Sequence, residues 1–141
     1  MINTTPQTNY RILIIDDDDI ALFLHSTILE DIFQNIVIET FNKAALALKY
    51  LKANAMEKNE YLIFLDINMP EVNGWEFLEA IKSYENIETA KVIIVSSSVE
   101  ITEKEKAQNI SFVKNFLIKP LMPEQVEQLR YLEAINPFFR Q

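Results

Sequence analysis

The sequence has no cysteine and only one glycine, and each shortage excludes a class of site. Without cysteine, the chain can build neither a disulfide framework nor a thiolate site. A single glycine cannot supply the glycine-rich loop of a P-loop nucleotide-binding protein, which needs at least two glycines around the phosphate. The functional chemistry must therefore come from oxygen and nitrogen side chains.

Basic residues are also scarce, with 13 lysines and arginines against 21 aspartates and glutamates and a formal net charge of -8. A nucleic-acid partner needs a basic face, so we expect no binding to DNA or RNA. The opening segment, MINTTPQTNYR, is polar and lacks the apolar stretch of a signal peptide. No apolar run approaches the length that spans a bilayer. We therefore expect a soluble cytoplasmic protein without membrane contact.

Strand and helix patterns alternate along the 141 residues, a length that fits one compact domain. Alternation of this kind indicates parallel strands joined by helical crossovers. Four apolar segments are nearly continuous, which is typical of strands covered on both faces, whereas the second segment is mixed and is predicted to be an edge strand. The five segments are RILII, IVIETF, YLIFL, KVIIV and FVKNFLI.

Helical spacing predicts five helices between and after these strands. The first is amphipathic, and its apolar face is predicted to carry Ile20, Phe23, Leu24, Thr27 and Ile28. The second predicted helix carries Ala44, Ala47, Leu48 and Leu51, and the third runs from about Trp75 to Tyr84 with Phe77, Leu78 and Ile81 buried. The fourth runs from about Ile101 to Asn109. The fifth opens at Pro123, with Val126 and Leu129 facing inward.

Chemically capable residues directly follow or end four of the five predicted strands. Asp16 and Asp17 follow the first strand, Asp66 the third, Ser96 the fourth and Lys119 the fifth. Ligands of open parallel sheets bind beyond the carboxyl ends of the strands, so we expect these side chains to share one rim. Clustered carboxylates are usually neutralised by a hard divalent cation. The pattern therefore predicts a metal site at this rim.

The run of four aspartates also has an ordinary structural interpretation. Aspartate is a good N-cap residue, and acidic side chains suit the positive end of a helix dipole. We therefore assign Asp18 and Asp19 to the start of the first helix. The glycine, Gly74, lies in the loop NMPEVNG after Asp66 and is predicted to provide a positive φ or a close backbone approach, unless it belongs to an ordinary helix-entry turn.

Four motifs, in this order and at these spacings, resemble the CheY-like receiver domains of two-component response regulators: IIDDDD, FLDINMPEVNGWEFL, VIIVSSS and FLIKPL. The resemblance runs from about Arg11 to about Leu132. It implies a flavodoxin-like, doubly wound α/β fold with five parallel strands in the order 2-1-3-4-5 and helices on both faces. It predicts an extended or disordered segment over 1–10, a receiver domain over 11–134 and a short tail over 135–141, without an output domain.

The resemblance also implies a phosphorylation site that depends on Mg²⁺. Asp66 would accept the phosphoryl group. The metal would be held by Asp16, Asp17 and Asp66 together with the backbone carbonyl of Asn68, since Mg²⁺ prefers oxygen ligands and retains several waters. Lys119 would pair with Asp66 and with an incoming phosphoryl oxygen.

Further residues take their expected roles from the same resemblance. The bond between Lys119 and Pro120 would be cis, and Ser96 would donate its hydroxyl to the phosphoryl group. Phe116 on the fifth strand would swing into the space that Ser96 vacates and so act as a switch, although it could equally be an ordinary core aromatic. The responding surface would comprise the fourth helix, the fifth strand and the fifth helix.

The implied partner is a sensor histidine kinase or a histidine phosphotransfer protein, with an unknown protein target downstream. The chain itself would not be an enzyme beyond accepting and losing its own phosphoryl group. The main alternative is a receiver-like interaction module that is never phosphorylated. An aspartate-nucleophile phosphatase is disfavoured because DINMP lacks a second aspartate two residues after Asp66. His25, the only histidine, is expected to be an ordinary helix residue, and the tail NPFFRQ is expected to pack back onto the domain.

Overall fold

The computed structural model describes residues 8–84, 89–97 and 100–141. Its five strands form a parallel sheet in the order β2-β1-β3-β4-β5, which confirms the flavodoxin-like topology and places the mixed second segment at an edge. At the opposite edge, β5 exposes Lys114 and Asn115, so its apolar run is not covered on both faces. The strands are β1 (Asn9–Ile15), β2 (Val37–Phe41), β3 (Asn59–Leu65), β4 (Ala90–Ser96) and β5 (Val113–Ile118).

Helices cover both faces of the sheet and divide the core into two clusters. Alternate residues of β1 show the division, because Leu13 packs with α2, α3 and α4 while Ile12 packs with α1, α5 and α6. No helix within the described ranges has both the length and the apolar character that crossing a membrane requires. The helices are α1 (Asp19–Ile32), α2 (Ala44–Ala53), α3 (Gly74–Ile81), α4 (Ile101–Gln108), α5 (Pro123–Gln128) and α6 (Asn136–Phe139).

The predicted inner face of α1 is wrong. The buried face consists of Leu22, His25 and Leu29. Ile20 and Phe23 are instead 71% and 70% exposed, Leu24 and Thr27 are exposed as well, and Ile28 is half-buried. Both sets of residues have helical spacing, so the periodicity alone could not decide which set faces the sheet.

The third helix ends at Ile81, three residues before the predicted end at Tyr84. The hydroxyl of Ser83 donates a hydrogen bond of 3.1 Å to the carbonyl of Ala80, the group that the amide of Tyr84 would use in a continuing helix. The amide of Tyr84 bonds the carbonyl of Ile81 instead. The predicted buried residues of this helix are confirmed, and so are Val126 and Leu129 at the other end of the chain.

The C-terminal residues pack onto the domain, as predicted for NPFFRQ. Phe138 is buried, and its ring meets that of Tyr10 edge to face with 5.1 Å between centroids. Phe139 contacts Phe33 at a centroid distance of 4.7 Å. Tyr10 belongs to β1, so this last helical turn is fixed to the first strand. The prediction for residues 1–10 falls largely outside the described residues, since 1–7 are not among them.

Candidate functional site

Side chains from the ends of four strands converge at the carboxyl edge of the sheet. Asp16 follows β1, Asp66 follows β3, Ser96 ends β4 and Lys119 follows β5. Backbone hydrogen bonds hold these ends side by side, from the Asp66 amide to the Ile15 carbonyl at 2.9 Å and from the Lys119 amide to the Ser96 carbonyl at 2.7 Å. The rim predicted from strand order is therefore present.

Three carboxylates at this rim lie close enough to hold one metal ion. Asp16, Asp17 and Asp66 each offer an oxygen that lies within 4.8 Å of the oxygens of the other two. Asp16 and Asp66 are buried, whereas Asp17 is exposed. Mg²⁺ binds carboxylate oxygens and keeps several waters, so a cluster that is open on one side suits it. The donor atoms present fit the metal that the sequence predicts.

Lys119 is the cation of the site, and its nearest partner differs from the predicted one. Its Nζ lies 2.7 Å from Oδ2 of Asp16 and 3.6 Å from Oδ2 of Asp66. Burial alone would lower the pKa of Lys119, but the hydrogen bond and the charge of Asp16 together with Asp66 outweigh burial and raise the pKa. The ammonium group therefore stays charged between the two acids. The Lys119–Pro120 bond is cis, as the resemblance implied.

Asp66 is a carboxyl group that resists ionisation more than usual. Burial, joined by the nearby charges of Asp16 and Asp17, raises the pKa of Asp66 from 3.8 to about 6. The amide of Asn68 donates a hydrogen bond of 3.1 Å to Oδ1 of Asp66, and this bond together with Lys119 acts in the opposite direction. Near neutral pH the group is largely ionised, yet it is more basic than an exposed aspartate and correspondingly more nucleophilic.

This raised pKa predicts how stability changes with pH in the absence of divalent cations. Between pH 4 and about pH 6 the folded protein holds a proton on Asp66 that the unfolded chain has lost. The free energy of unfolding should therefore fall as the pH rises through this window, by about 3 kcal/mol at most for this group. Asp66→Asn should remove that decrease and be the more stable protein at pH 7. Urea unfolding at several pH values, with EDTA present, measures the difference, and parallel pH profiles of the two proteins would contradict the prediction.

The side chain of Asn68 has a role that sequence reasoning missed. Its Nδ2 donates a hydrogen bond of 3.3 Å to Oγ of Ser96, which is completely buried. The backbone carbonyl of Asn68 was predicted to be a metal ligand, and that role stays a prediction. No sequence signal connects a residue of the loop after β3 with the last residue of β4, so only the fold reveals the contact between Asn68 and Ser96.

The remaining acids of the DDDD run cap α1, as predicted. The side chain of Asp18 accepts a hydrogen bond of 2.9 Å from the amide of Ile20, and Asp19 lies in the first turn. The amide of Asp18 also donates to Oδ1 of Asp16 at 3.0 Å. The residue that caps α1 therefore also helps to orient the carboxylate of Asp16.

Gly74 is required for a close backbone approach rather than for a positive φ. Its amide donates to the carbonyl of Ile67 at 3.1 Å. A Cβ atom built on Gly74 would lie 2.4 Å from Cα of Ile67 and 2.8 Å from the carbonyl oxygen of Asp66. The start of α3 thus rests directly on the backbone that carries Asp66.

Phe116 lies next to β4 but below the rim. It is paired with Ile94, two residues before the pair formed by Ser96 and Ile118. The ring is half-buried and packs against the core cluster that contains Ile94 and Phe112. This position suits a core aromatic and a switch residue equally, so the switching role stays a prediction.

His25 lies in α1, as predicted, but it is buried on the helix face that turns towards the sheet. Burial lowers the pKa of His25, while the negative charge of Asp16 acts in the opposite direction. The imidazole therefore interacts electrostatically with the charges of the rim, although it does not belong to the acid cluster.

Known proteins of similar sequence point to one protein family. The family model for the response regulator receiver domain matches residues 12–130. A two-component response regulator of Oryza sativa subsp. japonica, ORR1, is 30% identical over 131 residues, which are 89% of this chain and 56% of the rice protein. This chain therefore spans about half the length of that relative. Sensor protein GacS of Pseudomonas syringae pv. syringae is 27% identical over 123 residues, which are 84% of this chain and 13% of that protein.

A solved structure agrees with the fold along nearly the whole chain. The two-component response regulator from Cytophaga hutchinsonii superposes with a TM-score of 0.80 at 26% sequence identity, covering 96% of this chain and 100% of the other.

Proposed function

Because this chain belongs to the response regulator receiver domain family of two-component signalling, we propose that it accepts a phosphoryl group on Asp66 with the help of Mg²⁺. The observation that carries the proposal is the convergence of three carboxylates and one ammonium group at a single rim. Receiver domains work with sensor kinases, so the donor would be a phosphohistidine on a sensor histidine kinase or on a histidine phosphotransfer protein.

The proposed transfer makes one bond and breaks one bond. An oxygen of the Asp66 carboxylate attacks phosphorus, the phosphorus–nitrogen bond of the phosphohistidine breaks, and the imidazole keeps the electron pair. The product is an acyl phosphate on Asp66, which water later hydrolyses. Such a transfer depends mainly on alignment and on stabilising charge at the phosphoryl oxygens.

Several groups of this chain would stabilise that charge. Asp16, Asp17, Asp66 and the carbonyl of Asn68 would hold Mg²⁺, which would supply positive charge to the phosphoryl oxygens. Lys119 lies 3.6 Å from Asp66 and can move its ammonium group from Asp16 to a phosphoryl oxygen. Ser96 would turn its hydroxyl from Asn68 to the phosphoryl group.

The proposal predicts that labelling depends on the metal. Incubation with phosphoramidate, a small phosphodonor, should add the mass of one phosphoryl group in millimolar Mg²⁺ and almost none in EDTA, because repulsion among the three carboxylates then opposes an approaching phosphate. Intact-mass spectrometry over time measures both rates. Equal labelling in Mg²⁺ and EDTA would remove the metal from the proposal. The absence of labelling under both conditions would favour the interaction module that is never phosphorylated.

The signal would leave the site through the neighbouring strand. When Ser96 moves towards the phosphoryl group, the space that its side chain leaves becomes available to Phe116. A modest difference in contact energy is enough to shift a pre-existing equilibrium between two arrangements. The responding surface would be formed by α4, β5 and α5, with an unidentified protein as its target.

Phe116→Ala tests this route. In the wild type, phosphorylation should change the amide chemical shifts of α4 and of the start of β5, which belong to the proposed responding surface. In the variant those changes should be lost, because no ring fills the space, while shifts close to Asp66 still change. Leu117→Ala is the matched control, since Leu117 packs against the opposite core cluster. If both variants respond as the wild type does, Phe116 is a core residue only.

A further inference from the structure

The helix α4 is held to the domain by few contacts. Of its eight residues, all of which the structure describes, only Ala107 is buried. Its N-cap residue, Glu100, makes no side-chain hydrogen bond to the first turn. A helix that buries so little apolar surface gains little from packing, so its position depends on individual side-chain contacts.

One such contact joins the last turn of α4 to α3. Nζ of Lys106 lies 4.4 Å from the centroid of the Trp75 ring, close enough for the ammonium group to be attracted to the face of the ring. Trp75 is half-buried and packs against the core cluster on this side of the sheet. The cation–π contact therefore ties an exposed helix to a ring that belongs to the domain.

The backbone around Trp75 makes this ring a fixed anchor. The preceding residue is Gly74, and its amide donates to the carbonyl of Ile67 at 3.1 Å. A Cβ atom on Gly74 would lie only 2.4 Å from Cα of Ile67, so there is no slack between the start of α3 and the chain beneath it. When α4 moves relative to the domain, the contact between Lys106 and Trp75 must therefore break.

A second side chain of α4 opposes this contact. Glu103 is half-buried and lies three residues before Lys106, so both side chains project from the same side of the helix. Oε2 of Glu103 is closed to water and has no hydrogen-bond partner within the described part of the chain. A buried oxygen without a donor is unfavourable, and water would satisfy it if α4 moved outwards. Two side chains one turn apart thus favour opposite positions of α4.

We infer that the contact between Lys106 and Trp75 is a latch that keeps α4 in its resting position, and that Glu103 supplies the opposing preference. Because the two effects partly cancel, a modest difference in contact energy at the neighbouring strand is enough to release the helix. The regulatory role of the latch rests on the proposed function, in which α4 is part of the responding surface. The balance within α4 exists without phosphorylation.

Four methionine variants test the latch in the unphosphorylated full chain. Lys106→Met keeps an unbranched side chain but removes the charge, so the α4 amides should exchange with deuterium about two- to fivefold faster. Glu103→Met removes the buried carboxylate, so the same amides should exchange at least about fivefold more slowly. Lys104→Met and Glu105→Met make the same substitutions at exposed positions of this helix and are the matched controls.

Hydrogen exchange followed by NMR measures these rates residue by residue. Unchanged exchange in β1 and β3 shows that each variant is folded. If Lys106→Met exchanges as Lys104→Met does, or Glu103→Met as Glu105→Met does, the inference is overturned.

Amide chemical shifts at the start of β5, which packs against α4, test the regulatory role. If α4 exchanges rapidly between two positions, each shift reports the fraction of released helix. Lys106→Met should move these shifts part of the way from the unlabelled wild type towards the wild type labelled with phosphoramidate. Glu103→Met should move them in the opposite direction. Shifts that leave this line would show a local effect only and would overturn the inference.

The two readouts distinguish a failure of the latch from a failure of the proposed function. Absence of a phosphoryl label in the intact mass would contradict the proposed function and, with it, the regulatory role of the latch. A labelled protein whose Lys106 and Glu103 variants behave as their controls do would contradict the latch alone.

Discussion

Replacing Asp66 by Asn is expected to abolish labelling by phosphoramidate in Mg²⁺. The amide of asparagine is neutral and cannot form the acyl phosphate, although it has nearly the same shape as the carboxyl group that it replaces. The buried position should tolerate the amide well, because the change removes a charge from a site where burial already opposes ionisation. Intact-mass spectrometry should therefore find a folded protein without added phosphoryl groups.

Asp18→Asn is the matched control for this result. It makes the same change of charge two residues from Asp16, and asparagine caps a helix about as well as aspartate does. Asp18 accepts a hydrogen bond from the amide of Ile20, and an asparagine side chain can accept the same bond. We expect labelling of Asp18→Asn close to that of the wild type. Labelling of Asp66→Asn at the wild-type level would place the acceptor elsewhere.

Lys119→Ala is expected to impair both phosphorylation and stability. The ammonium group is the cation nearest to Asp16 and Asp66, two carboxyl groups that are only 2% and 5% exposed. Its removal leaves two buried acids without a cationic partner, although each keeps a backbone hydrogen bond, and this should cost about 3 kcal/mol in the free energy of unfolding in EDTA. Loss of one preorganised charge at the phosphoryl group should slow labelling about a hundredfold or more. Urea unfolding and the time course of intact mass measure the two effects.

Lys91→Ala provides the comparison for an ordinary ion pair. Lys91 lies 2.8 Å from Glu60, and its side chain is 16% exposed against 20% for Lys119. Loss of this pair should cost about 1 kcal/mol or less and leave the labelling rate unchanged. Mg²⁺ should stabilise Lys119→Ala more than Lys91→Ala, because the acids have lost the lysine charge in the first variant and keep it in the second. Equal labelling rates in the two variants would contradict the role assigned to Lys119.

The sequence predicted the parts of the fold that depend on local pattern. Apolar runs located the strands, and the residue after each run located the rim, because the carboxyl ends of parallel strands meet at one edge. The helix cap at Asp18 was predictable for the same local reason. The orientation of α1 was not, since that helix carries apolar residues on two sides. Its buried side includes His25, a polar residue that a hydrophobic pattern leaves out.

The contacts within the site depended on distances that no local pattern contains. The sequence could assign Lys119 to the acids, but only the packing of β5 against β4 shows that Asp16 is its closer partner. The hydrogen bond from Asn68 to Ser96 joins residues 28 positions apart. Gly74 was partly predictable. Because glycine is so scarce in this sequence, a backbone requirement was expected at that position, and the structure identifies the requirement as a close approach to the backbone of Asp66 and Ile67.

The most direct measurement is to map the phosphorylated residue. After labelling with phosphoramidate in Mg²⁺, borohydride reduces an acyl phosphate on aspartate to homoserine, and mass spectrometry of the peptides then identifies the converted position. The convergence of carboxylates around Lys119 predicts conversion at Asp66 alone, with none in EDTA. Conversion at Asp16 or Asp17, or a stable phosphate on Ser96 with Asp66 unmodified, would contradict it.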